Sequence, residues 1–191
     1  PDGVAESSLV ISANGERYTV DSPEVRWSPP VLVYLPPEGF PEGEILRVCV
    51  DSAADIYGNP ADSLPCVEFA IDRTPPQISL ISPDTSRLLT DYQQDIVIRI
   101  ADATSGVARS SVRFVLNGTD YTDRVRISGE DPLEVRFITH EILGQFAPGE
   151  SIWVEVSACD TPDLCPPNCD TALFLFISPM EWGCYVHPNP F

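Results

Sequence analysis

The sequence predicts an all-β protein made of two β-sandwich repeats. Three observations point there. Short β-branched and aromatic runs recur between turn residues, and no apolar period of 3.6 residues extends over any length. The 191 residues include 20 prolines, and proline removes a backbone donor and clashes one turn back in a helix. A stretch of the first half also returns in the second half.

The repeat sets the organisation. Gly3-Val4-Ala5-Glu6-Ser7-Ser8-Leu9, continuing through Asn14-Gly15 to Tyr18-Thr19, matches Gly106-Val107-Ala108-Arg109-Ser110-Ser111-Val112, continuing through Asn117-Gly118 to Tyr121-Thr122. A shift of 103 positions superposes them without a gap. Downstream, Phe40-Pro41-Glu42-Gly43-Glu44 answers Phe146-Ala147-Pro148-Gly149-Glu150, and Ser52 to Asp55 answers Ser157 to Asp160. That period is the size of one immunoglobulin-like domain, about 100 residues, and too long for a solenoid unit. The fold class is therefore all-β, with tandem immunoglobulin-like β-sandwiches.

The elements follow in order. Asn14-Gly15 is a hairpin turn, because both residues tolerate positive φ. Leu46-Arg47-Val48-Cys49-Val50 reads as a strand, and Cys66 opens the next. Asp72-Arg73-Thr74-Pro75-Pro76 is the boundary, since two prolines stiffen a linker and stop ladder pairing. Gln77 to Ile81, Ile96 to Ile100 and Val112 to Leu116 are strands, and Asn117-Gly118 then turns the chain into Thr119-Asp120-Tyr121. Glu141 to Phe146 can form one short turn of helix. Ile152 to Val156 and Ala172 to Phe176 close the second repeat. The expected domains are residues 1–72, a repeat lacking its first strands; residues 73–179, a complete repeat; and residues 180–191, a linker leading onward.

Composition excludes several functions. There are 29 acidic and 11 basic residues, for a net charge of -18. Nucleic-acid affinity rests on basic residues that neutralise phosphates, and anionic membrane surfaces attract basic segments. Neither partner fits. Apolar residues make up 43% of the chain, enough for a core. No apolar run approaches the ~20 residues of a membrane helix, and Pro1-Asp2-Gly3 is not the basic start of a signal peptide. The chain is expected to begin inside a longer protein.

Six cysteines indicate an oxidising compartment. Cys49 and Cys66 lie on successive strands and are expected to pair. Cys159, Cys165, Cys169 and Cys184 allow three pairings; Cys159–Cys169 across a hairpin base and Cys165–Cys184 pinning the tail are favoured. A zinc site needs a compact tetrahedral set, and neither His140 nor His187 lies close in sequence to Cys165-Pro-Pro-Asn-Cys169.

The ordered set Asp72-Arg73-Thr74-Pro75-Pro76, Asp102 to Val107, Asn117-Gly118 and Asp55-Ile56-Tyr57-Gly58-Asn59 resembles the bacterial immunoglobulin-like, fibronectin-III-like repeats of large secreted and surface proteins. The resemblance covers nearly the whole chain. The second repeat departs from it at the Gly-Asn loop, where Asp160-Thr161-Pro162-Asp163-Leu164-Cys165 stands. Cys184-Tyr185-Val186-His187-Pro188-Asn189-Pro190-Phe191 resembles the opening of a C-terminal sorting domain of the type IX secretion kind. These resemblances imply a bacterial parent protein that is exported to the cell surface or beyond, with the sorting domain following residue 191.

Catalysis has little support. A nucleophile needs an oriented base, and the two histidines sit in no nucleophile motif. With so many acids, carboxylate pairs arise by chance. Calcium is the cofactor chemistry to weigh, because it takes 6–8 oxygen ligands. Loops gathered at one end of a sandwich could offer Asp55, Asn59, Asp72 and Asp102. The same residue types are also ordinary turn formers. Asn117-Gly118-Thr119 is a glycosylation sequon, but its partner Asn14-Gly15-Glu16 is not, so the shared feature is the turn. Trp153, between Ile152 and Val154, reads as a packing residue, while Trp27 and Trp182 stay open.

The expected function is a non-catalytic extracellular spacer or adhesion module. The alternatives are a filament or surface-layer subunit joined by strand donation, and a glycan- or protein-binding module with an aromatic cleft near Trp27 or Tyr34. Gly3 is the partner of Gly106, yet the strands expected ahead of Gly106 have no counterpart ahead of Gly3. The missing strands are expected from another segment, either upstream in the parent protein or on a neighbouring chain.

Overall fold

The computed structural model describes residues 3–36, 38–84, 87–162 and 166–180. The chain divides into two compact units: Pro1–Arg73 with Pro162–Pro166, and Thr74–Thr161 with Pro167–Phe191. Nearly all regular structure is antiparallel β-sheet.

Unit 2 is a two-layer sandwich. Its strands are β7 (Gln77–Ser82), β8 (Ile96–Ala101), β9 (Arg113–Leu116), β10 (Thr119–Asp120), β11 (Arg126–Ser128), β12 (Leu133–Phe137), β13 (Ser151–Cys159) and β14 (Cys169–Ile177). One sheet has the order β10-β9-β13-β14 and the other β11-β12-β8-β7. Period-2 alternation builds the core between them. On β13, Ile152, Val154, Val156 and Ala158 are fully buried, while Ser151 and Trp153 face outward. Phe114 of β9 stacks on Phe137 of β12 at 5.3 Å, which joins the two sheets. The strand β8 is buried at Ile96, Val97, Ile98 and Ile100, with Arg99 exposed on the outer face, as suits a strand inside a sheet.

Unit 1 contains β1 (Val10–Ala13), β2 (Glu16–Thr19), β3 (Val25–Ser28), β4 (Val31–Tyr34), β5 (Ile45–Ser52) and β6 (Cys66–Ala70). Its four-stranded sheet has the order β2-β1-β5-β6, and β3-β4 form a separate two-stranded sheet. The first sheet has the strand order of the β10-β9-β13-β14 sheet in unit 2.

Local chemistry explains the shared parts. Asn14 (φ 49) and Gly15 (φ 88) turn β1 into β2, and Asn117 (φ 49) and Gly118 (φ 77) turn β9 into β10. Positive φ at both central residues matches the twist of a hairpin. Each Asn also ties its turn to the neighbouring strand. Asn14 Oδ1 accepts from the Arg47 N–H at 2.9 Å, and Asn117 Oδ1 accepts from the Trp153 N–H at 2.8 Å. A single 3-10 turn lies ahead of β1 (Glu6–Ser8) and of β9 (Arg109–Ser111).

Two expectations are corrected. The helical turn falls at Thr139–Ile142 (α1), earlier than 141–146, because Gly144 adopts φ 84 and ends it. Trp153 is not a packing residue. It is 55% exposed, because Ile152 and Val154 take the inward positions on either side.

Candidate functional site

The loops that follow β5 and β13 carry the most developed polar chemistry. In unit 1, Asp55 Oδ1 accepts from the N–H groups of Tyr57 and Asn59, both at 2.9 Å, and Oδ2 accepts from the Asn59 amide at 2.7 Å. The Asp55 N–H returns a bond to the Asn59 carbonyl at 2.9 Å. In unit 2, Asp160 Oδ1 accepts from the Asn168 N–H at 2.7 Å, Oδ2 accepts from the Asn168 amide at 2.7 Å, and the Asp160 N–H donates to the Asn168 carbonyl at 3.0 Å. The same three hydrogen bonds clasp both loops. The Asn59 amide, and next its N–H, hold the Asp55 carboxyl below the usual carboxylate range.

A serine in the 3-10 turn ahead of β1 or β9 anchors each clasp. Ser8 Oγ donates to the Ala5 carbonyl at 2.6 Å and accepts from the Ala54 N–H at 2.8 Å. Ser111 Oγ donates to the Ala108 carbonyl at 2.6 Å and accepts from the Cys159 N–H at 2.8 Å. Isolated bridges Val4–Asp55 and Val107–Asp160 complete the pattern.

Of the candidate calcium ligands, Asp55 and Asn59 come together, but as acceptor and donor of the clasp. Asp102 lies in unit 2, where Oδ1 accepts from the N–H groups of Thr104, Ser105 and Gly106 at 2.9–3.0 Å. This is the Asx geometry of a turn former. Asp72 closes unit 1 and is buried. Asp102 and Asp160 bring carboxylate oxygens within 4.8 Å of each other in unit 2. Among the described residues, Asp55 belongs to no trio of acidic, histidine or cysteine side chains at that spacing. Backbone and amide donors position the carboxylates of Asp55, Asp102 and Asp160.

Disulfides join Cys49 to Cys66 across β5-β6 and Cys159 to Cys169 across β13-β14. They staple corresponding strand pairs at different rungs, because Ala54 takes the place of Cys159 in unit 1. Such bonds belong to an oxidising compartment. Cys165, Cys184, His187 and Trp182 lie outside the described residues. No helix among the described residues is long and apolar enough to cross a membrane.

A cleft of about 250 Å³ in unit 1 is lined by Tyr18, Tyr34, Phe40 and Glu16. Tyr18 packs on Tyr34 at 5.0 Å, and Tyr34 on Phe40 at 6.4 Å. Hydrogen bonds with Tyr34 and then Glu16 push the Tyr18 hydroxyl above its ordinary pKa. In unit 2 the corresponding pair is Tyr121 on Phe137 at 5.4 Å, and it belongs to the core. The cleft is therefore lined by core-type aromatics. Its volume also falls below the ~300 Å³ at which small-molecule pockets begin. Trp27 lies on β3 opposite Leu32, half-buried.

Sequence reasoning missed Asp160 and Asn168 as a pair, because the longer loop puts Asn168 eight positions after Asp160 where Asn59 is four after Asp55. Alignment from the following strand does not recover it either, since Asn168 directly precedes Cys169 at the start of β14 while Asn59 lies seven positions ahead of Cys66 at the start of β6. Comparison with family models, curated proteins and solved structures returned no significant match.

Proposed function

We propose that the chain is a non-catalytic spacer module of a larger bacterial protein that is secreted or held at the cell surface, and that its units are repeats of the immunoglobulin-like type. One observation carries the reading: the same Asp–Asn clasp, serine anchor and Asn-Gly turn recur in both units, each with a disulfide across its last two strands. A spacer needs stiffness and resistance to unfolding rather than a reactive centre, and the repeated features are of that kind. The acidic surface suits solubility outside the cell.

Force spectroscopy on the chain held by its ends tests the proposal. Spacer behaviour means repeated, recoverable unfolding events. Reduction should lengthen the stretched chain by about 60 Å for Cys49–Cys66 and about 35 Å for Cys159–Cys169, at ~3.5 Å per residue over separations of 17 and 10. Saturable binding of soluble oligosaccharides at Tyr18, Tyr34 or Phe40 would replace the spacer reading with a binding one.

A further inference from the structure

The two units differ most at their second sheets. In unit 2, β12 is flanked on both sides. It pairs with β11, and with β8 in the register Leu133–Ile100, Val135–Ile98, Phe137–Ile96. In unit 1, β4 pairs with β3 alone, and among the described residues no strand lies along its other edge. The Leu35 N–H donates to the Glu24 carbonyl at 2.7 Å, toward β3. By the alternation of an antiparallel ladder, the N–H and C=O groups of Leu32 and Tyr34 point to the open edge.

The core shows the same gap. Leu46, Val48 and Val50 of β5 correspond to Ile152, Val154 and Val156 of β13, on the register set by the Asn14–Arg47 and Asn117–Trp153 bonds. The three residues of unit 2 are fully buried, in a core that includes Ile96, Ile98 and Ile100 of β8. In unit 1, Leu46 is buried but Val48 and Val50 are only partly so, and Val67, paired with Val48, is 52% exposed. Val31 and Val33 on β4 are exposed on the opposite face of that strand, paired with Ser28 and Arg26, and are not part of this gap.

The route of the chain says what covers this face. In unit 2, β8 ends at Ala101, and Asp102–Ser105 lead to Gly106, whose carbonyl accepts from the Thr161 N–H at 3.0 Å. In unit 1, the Gly3 carbonyl accepts from the Ile56 N–H at 3.1 Å on the matching rung. A strand placed before Gly3 as β8 is placed before Gly106 would arrive along β4.

We propose that the outer edge of β4 is a strand-acceptor site, and that its occupant is a strand pair of the β7–β8 type, entering from the N-terminal side of Gly3. Its inner strand pairs with β4 through Leu32 and Tyr34 and lays alternate β-branched side chains over Val48 and Val50. Strand addition satisfies edge donors and acceptors and covers the apolar face in one step.

A second copy of residues 75–105, joined directly ahead of Gly3 in the otherwise intact chain, tests this by residue-resolved hydrogen exchange. Leu32 and Tyr34 amides should slow by at least ~10-fold on grafting, as edge groups become ladder groups. The same graft carrying Ile96→Asp, Ile98→Asp and Ile100→Asp in the added copy should give no slowing. Val135 in unit 2 reports that the chain is folded. If the fusion does not fold, a peptide of residues 77–103 added to the unaltered chain reads the same two amides. Unchanged exchange at Leu32 and Tyr34 overturns the proposal. So does protection of both amides in the ungrafted chain: as a monomer it shows a closed edge, and as a dimer it names a second copy as the occupant.

Discussion

Asn168 grips Asp160 with both its backbone N–H and its side-chain amide, each at 2.7 Å from a different carboxylate oxygen. Asp160 is almost fully buried. Asp160→Ala removes a buried acceptor of two hydrogen bonds, at a cost of about 1–3 kcal/mol. Thermal melts should show a clear drop for Asp160→Ala and a smaller one for the less buried equivalent Asp55→Ala. Equal, negligible shifts would refute the clasp as a structural element.

Acid should loosen unit 2 through Asp120. Its carboxyl is lowered to about 2, first by hydrogen bonds from Thr122 and then by Arg113. A depressed folded pKa means the contribution is fully present above the unfolded value of about 3.9 and is lost as pH falls through about 2. Asp120→Asn should flatten the stability–pH curve between those limits and leave its slope near pH 7 unchanged. Chemical denaturation from pH 2 to pH 7 checks this.

The Cys49–Cys66 bridge closes a loop with a sequence separation of 17. The chain-entropy model gives such a closure about 3 kcal/mol. Unit 1 has few fully buried residues, so the paired Cys49→Ser and Cys66→Ser variant should unfold it well below unit 2. Two-transition calorimetry reads this directly. Coincident transitions in that variant would contradict it.

Gly129 tests the β11-β12 turn. It adopts φ 82, and an added Cβ would lie 2.5 Å from the Pro132 carbonyl oxygen. Gly129→Ala should destabilise by more than about 1 kcal/mol, since left-handed strain adds to a backbone clash. Gly144→Ala, also at positive φ but with open space around it, should cost less.

Strands with β-branched runs are legible in the sequence itself. Ile96–Ala101 and Ser151–Cys159 follow their apolar patterns, and both Asn-Gly pairs adopt the positive φ their chemistry calls for. The hairpins β3-β4 and β11-β12 are not legible there. Pro29-Pro30 lies between β3 and β4, and Arg126–Ser128 is too short to show a pattern, so these pairings are decided by tertiary partners, although Leu133–Phe137 carries the period-2 alternation Leu-Glu-Val-Arg-Phe of a half-buried strand. The carboxylates at Asp55 and Asp102 stand out as oxygen ligands, but which donors they meet depends on loop conformation. The repeat also hides a one-residue slip: β1 and β5 change register between Val10 and Ile11.

The sheets β2-β1-β5-β6 and β10-β9-β13-β14 share one strand order, and among the described residues no strand lies along the outer edge of β4. Residue-resolved amide exchange on the intact, oxidised chain measures this in one experiment. Val135 and Ile98, inside a ladder, should exchange only with unfolding of unit 2, while Leu32 and Tyr34 should exchange at least ~100-fold faster, through local opening. Protection of Leu32 and Tyr34 equal to that of Val135 would contradict it.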